Sequence, residues 1–550
     1  MTAALRTACT LAVVAVAAGL VLPAAAQQTA GQEWRPFPVA NVSAPLSLSQ
    51  AAQAPALSAP PFQANLAATV KESWTDNVGL TSTNQRHDEI SNISTDFNLA
   101  AKSPSTDLEL GYNGGYDRYV NDTSLDGFHH NGIATVTSSL LDQRVILSAQ
   151  GSVSEPNINP NSLVAAGDRA SPVNRIRVFS YNAGPRIQEP LGDFATIQVS
   201  ATRSQTVDQQ INSVRTAQNT PAATPSIGDT TKDGAHAEMR NGISSARLLW
   251  DLSSDVSRSR LQNGDFDQQS YQLSAEYKFA PEFGLMVGTG YDRFRGIGVS
   301  TNTSGAFYDG GFHWNPSPAT DLRLGGGWRD GKPYFFGLLT EQIGAFTVLR
   351  VSRDTKVTSD ALNTFQSLES AEPNVRGGGF IDPLSGLTAA PASSSFQLSN
   401  AVYRLTTNQA SLTRGGDRDS VSLSAQVSSQ DVLSNPASNL SVLTGAPLAQ
   451  QNTSASANLQ WSHQLSRYMT ASLSGGLSAV IASSLPTGKT KRAQASADFA
   501  YTLSDTTSIV AQYAFSDSLV PSGANIVSAF GSTSGRIRDD LVFVALKRKF

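Results

Sequence analysis

The chain has 550 residues, a formal net charge of −4 and a pI near 5.9, a balance without the basic patch that nucleic-acid binding needs. Charged residues make up 15% and hydrophobic residues 40%. Beyond the first segment no stretch offers the roughly 18 consecutive apolar residues of a membrane-spanning helix, which excludes a helical membrane protein, and no run of like charges marks a disordered tail.

The chain opens with "MTAALRTACTLAVVAVAAGLVLPAAAQQTA". Arg6 lies in a short polar head, an apolar run extends from about Leu11 to Leu22, and small residues fill 24–26. This is the pattern of a secretory signal, with cleavage expected between Ala26 and Gln27. The alternative, an N-terminal membrane anchor, calls for about 20 apolar residues without a small-residue cleavage site. Cys9, the one cysteine, would leave with the signal, so an exported chain must draw its stability from a core, an oligomer or a bilayer.

Residues 27–65 are rich in Ala, Gln, Pro and Ser and show neither period 2 nor period 3.6, which reads as a flexible periplasmic leader. From Leu66 to Phe550 the character changes to short segments of alternating apolar and small or polar residues. In 107–120, Leu108, Leu110, Tyr112 and Tyr116 fall on one face, opposite Glu109, Asn113 and Asp117. In 270–294, Tyr271, Leu273, Ala275, Tyr277 and Phe279 precede the turn "APEF"; Leu285, Val287, Thr289 and Tyr291 follow it, opposite Gly284, Gly288 and Gly290. In 493–518, Ala497, Phe499, Tyr501 and Leu503 lead through "SDTT" to Ile509, Ala511, Tyr513 and Phe515, opposite Gln494, Asp498 and Gln512. Period 2 is the strand signal.

Short turns at 102–107, 141–144, 315–321 and 465–468 alternate with polar loops at 155–174, 208–235, 356–396, 428–449 and 519–536. Turns on one side and loops on the other predict an all-β, large antiparallel transmembrane β-barrel. The count is about 22 strands, any even number from 16 upward being compatible, with the stretches 235–260 and 334–355 hardest to divide. Aromatics near segment ends, among them Tyr112, Tyr116, Trp314, Trp328, Trp461 and Tyr501, would form interfacial girdles. Glu109, Asn113, Asp117, Gln494, Asp498 and Gln512 are candidates for the lumen wall. A barrel this wide is not filled by its own side chains. TonB-dependent transporters fill such a barrel with a folded plug, but only about 39 residues separate the cleavage point from Leu66, too few for that fold. The loop 356–396, with "RGGG" at 376–379, is the better plug candidate.

The last segment, "DDLVFVALKRKF", places Val542, Val544, Leu546 and the terminal Phe550 on one parity. It resembles the C-terminal assembly signal that the barrel-insertion machinery recognises in bacterial outer-membrane proteins, with Arg548 standing where a further apolar residue is common. "KESWTDNVGL" (71–80) and "ASLTRGGDRDSVSLSAQVSSQD" (410–431) resemble the outer-membrane β-barrel porins found beside exopolysaccharide-synthesis and PEP-CTERM sorting systems, through Glu72, Trp74, Thr75, Asp76, Asn77 and Arg418. The resemblance implies a role in polysaccharide export or surface assembly and brings no catalytic residues. "WTDN" reads equally as a girdle Trp74 followed by a loop-starting Asp-Asn pair.

Enzyme motifs are thin. "TGKT" (487–490) has Ser483 where a phosphate-binding loop needs its first glycine, and "GSTSG" (531–535) has Thr533 where a nucleophile elbow needs serine. Histidines stand at 87, 129, 130, 236, 313 and 463, none in helical metal-ligand spacing. His129 and His130 could chelate a surface metal, but neighbours on a strand point apart. No catalytic, cofactor-binding or metal residue is therefore expected. The reading is an outer-membrane pore, passive or gated, with polysaccharide export as its sharper form; a barrel-embedded hydrolase and a structural or adhesive surface barrel are the alternatives. Expected partners are outer-membrane lipid, the barrel-assembly machinery and, in the sharper form, a polysaccharide with its export apparatus.

Overall fold

A computed structural model describes residues 62–550, apart from 157–164, 167–174, 211–228, 243–246, 262–263, 297–302, 361, 364–371, 374–379, 382–387, 390–400, 434–450, 485–488, 522–525 and 529–530. The signal segment with Ala26 and Gln27, the leader as far as residue 61, and the glycine run 376–379 lie outside the described residues.

The strands run in chain order as β1 (Phe62–Thr75), β2 (Asp88–Lys102), β3 (Thr106–Tyr119), β4 (Gly127–Leu140), β5 (Val145–Ser154), β6 (Ile176–Leu191), β7 (Ala195–Gln210) and β8 (Thr230–Asn241). They continue as β9 (Leu248–Leu261), β10 (Gly264–Ala280), β11 (Phe283–Gly296), β12 (Gly305–Ser317), β13 (Thr320–Arg329), β14 (Lys332–Ile343) and β15 (Thr347–Thr358). The last seven are β16 (Tyr403–Gly415), β17 (Asp419–Val432), β18 (Gln451–Ser466), β19 (Met469–Ser483), β20 (Lys491–Ser504), β21 (Thr507–Val520) and β22 (Gly535–Lys549). Each pairs antiparallel with the next. β22 then returns to β1, with Trp74 opposite Val542 and Val70 opposite Leu546, so the 22-stranded sheet has no free edge. The two stretches hardest to divide in the sequence each hold a strand pair, β8 with β9 and β14 with β15.

Closure is what allows this polypeptide to exist in lipid, because an open sheet would leave backbone groups unpaired in hydrocarbon. The alternation supplies the two solvents. On β11, Leu285, Val287 and Tyr291 are exposed to the outside, while Met286, Asp292 and Phe294 on the other parity are buried. All strands but β5 and β13, which have 10 residues each, exceed the roughly 9–11 that a tilted strand needs to span the hydrocarbon, so their ends project beyond it. Phe62 and Lys549 both lie on the side of the short turns, the periplasmic side in barrels of this kind.

Two connections on the opposite, extracellular side break the expected rule of long loops: β9–β10 and β13–β14 are each joined by only two residues. At the second, Asp330 and Gly331 have φ of 51° and 71°, the left-handed pair of a type I′ turn for which Asp-Gly is suited. At the first the connecting residues are Gln262 and Asn263, and Gly264, which opens β10, has a φ of 130°. Glycine has a further use on the inner wall. A Cβ on Gly325 would lie 2.2 Å from the Phe336 ring, and one on Gly290 2.4 Å from Phe307. These glycines let inward aromatic rings lie flat against the wall.

Candidate functional site: the lumen wall and an infolded loop

The lumen is polar because the parity that faces away from lipid is polar. Asn92, Asp96, Gln272, Ser274, Glu276, Asp292 and Gln430 are all buried on it, and several are bonded to polar side chains of neighbouring strands, as buried polar groups generally are. Asn113 donates to Asp96 at 2.5 Å. Asp117 accepts from Asn92 and lies beside His129 Nε2, both at 2.6 Å. Gln512 donates to Asp498, which also accepts from Ser472 at 3.4 Å and Ser496 at 3.3 Å. Gln494 accepts from Arg492 at 2.6 Å, and Glu109 is exposed near the periplasmic end of β3. The six residues thus fall on the face opposite Tyr116, Tyr501 and Tyr513, which point to lipid. They form two separate groups, on β3 and on β20–β21, and not one site.

His129 and His130 diverge: His129 meets Asp117, whereas His130 Nδ1 is 2.6 Å from the Tyr112 hydroxyl on the outer face. His236 pairs with Asp255 at 2.8 Å, His313 with Glu276 at 2.9 Å and His463 with Asp419 at 2.6 Å. Among the described residues no three His, Cys, Asp or Glu side chains are grouped to hold a metal ion.

β22 departs from the polar rule. Val542, Val544 and Leu546 face lipid, about half exposed, but Ile537, Leu541, Phe543 and Ala545 on the inner parity are buried and apolar too. Among the described residues, their cover includes Ala165 and Ala166 of the β5–β6 connection. Ala165 packs with Leu80, Val520 and Ile537, and Ala166 with Ala514, Leu541, Phe543 and Ala545. The Ala166 amide donates to Asp539 Oδ2 at 2.7 Å. Residues 165–166 of the β5–β6 connection therefore lie against the inner face of the closing strand and are pinned to it. The two ends of the connection are tied together, with Arg175 3.2 Å and Arg177 2.7 Å from Glu155, and with Arg175 2.6 Å from His129 Nδ1. Burial pushes the Glu155 carboxyl up, but the His129 hydrogen bond and the Arg175 and Arg177 contacts outweigh it and hold it below the ordinary range.

Much of the loop expected to fold inward, 356–396, lies outside the described residues. The short strand Glu372–Pro373 comes within 8 Å, Cα to Cα, of β3, far around the wall from the β15 and β16 that carry the loop. At its base Tyr403 donates to Asp360 at 2.6 Å and Asn363 donates to Tyr403 at 2.9 Å. Leu362 packs there with Leu261, Phe266, Phe294, Val357 and Val402. The β5–β6 loop was the part the sequence did not single out. The signal available was the doubly apolar run 541–546, which a strand with one wet face has no use for.

"WTDN" does more than begin a loop. Thr75 donates to Asp539 Oδ1 at 2.6 Å, the Asp540 amide donates to Asp76 at 2.8 Å, and Asn77 Nδ2 donates to the Arg538 carbonyl at 2.7 Å. These bonds join the two ends of the sheet at the extracellular side of the seam. At the periplasmic side the Phe550 amide donates to the Leu66 carbonyl at 2.8 Å, and the Arg548 guanidinium lies 5.6 Å over the Phe550 ring.

A closed sheet with a lipid-facing apolar girdle and a polar interior defines the class: this is a channel-like β-barrel of the bacterial outer membrane. No family model and no curated protein matches the chain. Solved structures similar to it include the FrpB iron transporter from Neisseria meningitidis (11% identity, 88% of this chain and 81% of that chain, TM-score 0.46). Others are a ferric enterobactin receptor (PfeA) mutant from Pseudomonas aeruginosa (11% identity, 89% and 80%, TM-score 0.44) and the siderophore receptor PiuA from Acinetobacter baumannii (10% identity, 89% and 82%, TM-score 0.46).

Proposed function

We propose that the protein is a water-filled pore for hydrophilic solutes, narrowed by two infolded extracellular loops, and that its cargo is an extended polysaccharide strand delivered from the periplasm. The observation that carries this reading is the pinning of Ala166 to Asp539 inside a polar-walled barrel. A loop anchored inside a lumen sets its bore, and a wall of Asn, Gln, Ser and paired charges exchanges hydrogen bonds readily with hydrated sugars. Export brings in the barrel-assembly machinery and a periplasmic polysaccharide-export apparatus as partners.

The test is single-channel recording in planar bilayers on the refolded protein, on a form with residues 157–173 replaced by a short Gly-Ser linker, and on one lacking 364–399. Each loop removed should raise the conductance step, and neutral polysaccharide on the periplasmic side should block the current in bursts longer than those of short oligosaccharides. Absence of conductance from all three forms would overturn the pore. Equal block by long and short saccharides would overturn the polysaccharide and leave a general diffusion pore.

A further inference from the structure

The outer surface at the extracellular ends of β9, β10 and β11 carries four arginines in a compact array. The pairing register puts Arg258, Asp267 and Arg295 in one row across the three strands, with Arg260 opposite Asp265 one pleat step above and Arg293 opposite Gln269 one step below. One further step below Arg293, Tyr271 and Tyr291 stand opposite each other and face lipid. The alternate residues, Ser259, Leu261, Phe266, Asp292 and Phe294, are buried, so the arginine parity faces outward. Arg258, Arg260 and Arg295 are exposed and Arg293 half-buried.

The height of the array follows from strand geometry. Two residues advance a strand by about 6.6 Å, so at a tilt near 45° each pleat step rises about 5 Å. If the tyrosine pair marks the edge of the hydrocarbon, as such aromatics do, Arg293 and the row above it lie within about 5–10 Å of that edge, the depth of the headgroup layer. The charge does not cancel there: Arg258 pairs with Asp265 and reaches Asp267 at 3.7 Å, Asp233 opposite Arg258 on β8 is held by Arg203 at 3.3 Å, and these five arginines against three aspartates leave a net charge of +2. Only two residues separate β9 from β10, so no long loop from that hairpin overhangs the array. Guanidinium groups bind phosphate through paired, charge-assisted hydrogen bonds, and their aliphatic stems tolerate the apolar boundary.

We propose that Arg258, Arg260, Arg293 and Arg295 form a binding surface for the phosphate groups of an outer-leaflet glycolipid, so that the barrel carries a specifically seated anionic lipid on its β9–β11 face. Chain, lipid and water meet only at this level, and a phosphorylated headgroup is the anion that reaches an outward-facing row just above the hydrocarbon. The proposal is independent of what passes through the lumen.

The experiment is native mass spectrometry of the refolded protein in detergent, titrated with diphosphorylated lipid A, with the same glycolipid stripped of its phosphates, and with inorganic phosphate. The diphosphorylated lipid should bind at least tenfold more tightly than the stripped one, and inorganic phosphate should not compete at equal concentration. Arg260→Ala with Arg293→Ala and Arg295→Ala should lower binding at least tenfold. Asp265→Asn with Asp267→Asn, which raises the net charge to +4, should strengthen it several-fold and keeps the test decisive if the triple variant does not refold. Equal retention of the two glycolipids, competition by inorganic phosphate, or unchanged binding in the aspartate variant would each overturn the proposal.

Discussion

Asp539 holds Ala166 against the inner wall of the barrel: one carboxylate oxygen accepts the loop amide at 2.7 Å while the other accepts the Thr75 hydroxyl across the seam at 2.6 Å. The same side chain therefore fastens the last strand to the first and the β5–β6 loop to both. Barrel closure and the bore of the lumen are coupled through one residue.

The two roles separate by mutation. Asp539→Ala removes both bonds and should lower stability by about 1–3 kcal/mol, the scale for leaving buried partners unmade, and should also raise single-channel conductance by releasing the loop. Thr75→Val removes the seam bond and the longer one that Thr75 Oγ1 accepts from the Asn77 amide at 3.3 Å, leaves the loop amide bonded, and should lower stability to a lesser extent at unchanged conductance. Urea unfolding in detergent gives the first quantity and bilayer recording the second. A conductance change in Thr75→Val equal to that in Asp539→Ala would show that the seam, not the loop, sets the bore.

Acid should also release the loop. Glu155 is held below the ordinary carboxylate range by His129, Arg175 and Arg177 despite its burial, so its ionised form is favoured in the folded state. With a lowered folded value, this stabilisation is complete above the ordinary glutamate value of about 4.3 and is lost as pH falls past the lowered one. Conductance should therefore be steady from neutral pH down to about 5 and rise below 4, and Glu155→Gln should show the wider bore at pH 7. A flat profile in the wild type down to pH 3 would remove Glu155 from the anchoring of the loop.

The facing of side chains is tested on β11. Val287 is 60% exposed and lies midway between the girdle residues Phe283 and Tyr291, whereas a Cβ at Gly288 would meet the Asp309 carboxylate at 2.4 Å on the inner wall. Val287→Arg should cost about 2–4 kcal/mol, the scale for a cation at the bilayer midplane. Gly288→Ser should cost less, about 1 kcal/mol, because the Asp309 side chain can turn aside. Refolding into liposomes along a urea gradient measures both. Equal losses would mean that the two residues see the same solvent.

That parity was readable in the sequence because each strand sits between two solvents and period 2 records both. Leu285, Val287 and Tyr291 against Gly288 and Gly290 carried the side, and the full set of such segments carried the strand count. What joins distant parts of the chain was not readable. Thr75 and Asp539 are 464 positions apart, and "WTDN" looks like any girdle residue before a polar loop until the last strand lies beside it. The infolded β5–β6 loop is hidden for a related reason: Ala165 and Ala166 are unremarkable residues, and only the apolar inner face of β22 required something to cover it. The tight β13–β14 hairpin was legible in principle, since Asp330-Gly331 is a turn dipeptide, but the rule of long loops on that side masked it.

Deleting Phe550 tests the C-terminal strand. Its amide extends the β22–β1 ladder to Leu66, and its ring lies under Arg548. Removing it takes away both the last pairing of the seam and the aromatic end that resembles an assembly signal, so heat-modifiable protein in outer-membrane fractions should fall and periplasmic degradation should rise. Phe550→Tyr should restore the level, since an aromatic end is kept. Outer-membrane amounts equal to wild type after the deletion would show that the terminal aromatic is dispensable for insertion.

Asp330 offers a gain of stability with a defined pH window. It occupies the left-handed first position of the β13–β14 turn, and burial together with the nearby Asp292 carboxylate pushes its pKa up to about 6 against the pull of Arg329 and Arg404. Its Oδ1 is buried with no hydrogen-bond partner among the described residues. A carboxyl with a raised folded value binds a proton that the unfolded chain has already released between about pH 4 and 6, so folded stability declines as pH rises through that window. Above it the charged form imposes its full penalty, of the order of 1–3 kcal/mol. Asn is as well suited as Asp to this position of a type I′ turn, so Asp330→Asn removes the charge and keeps the turn. The variant should unfold at higher urea than wild type at pH 8 and at nearly the same urea at pH 4.5. The ion contact with Arg404, 3.9 Å away, is too long to offset the burial. A variant less stable than wild type at pH 8 would show instead that the Asp330–Arg404 attraction outweighs the desolvation of the carboxylate.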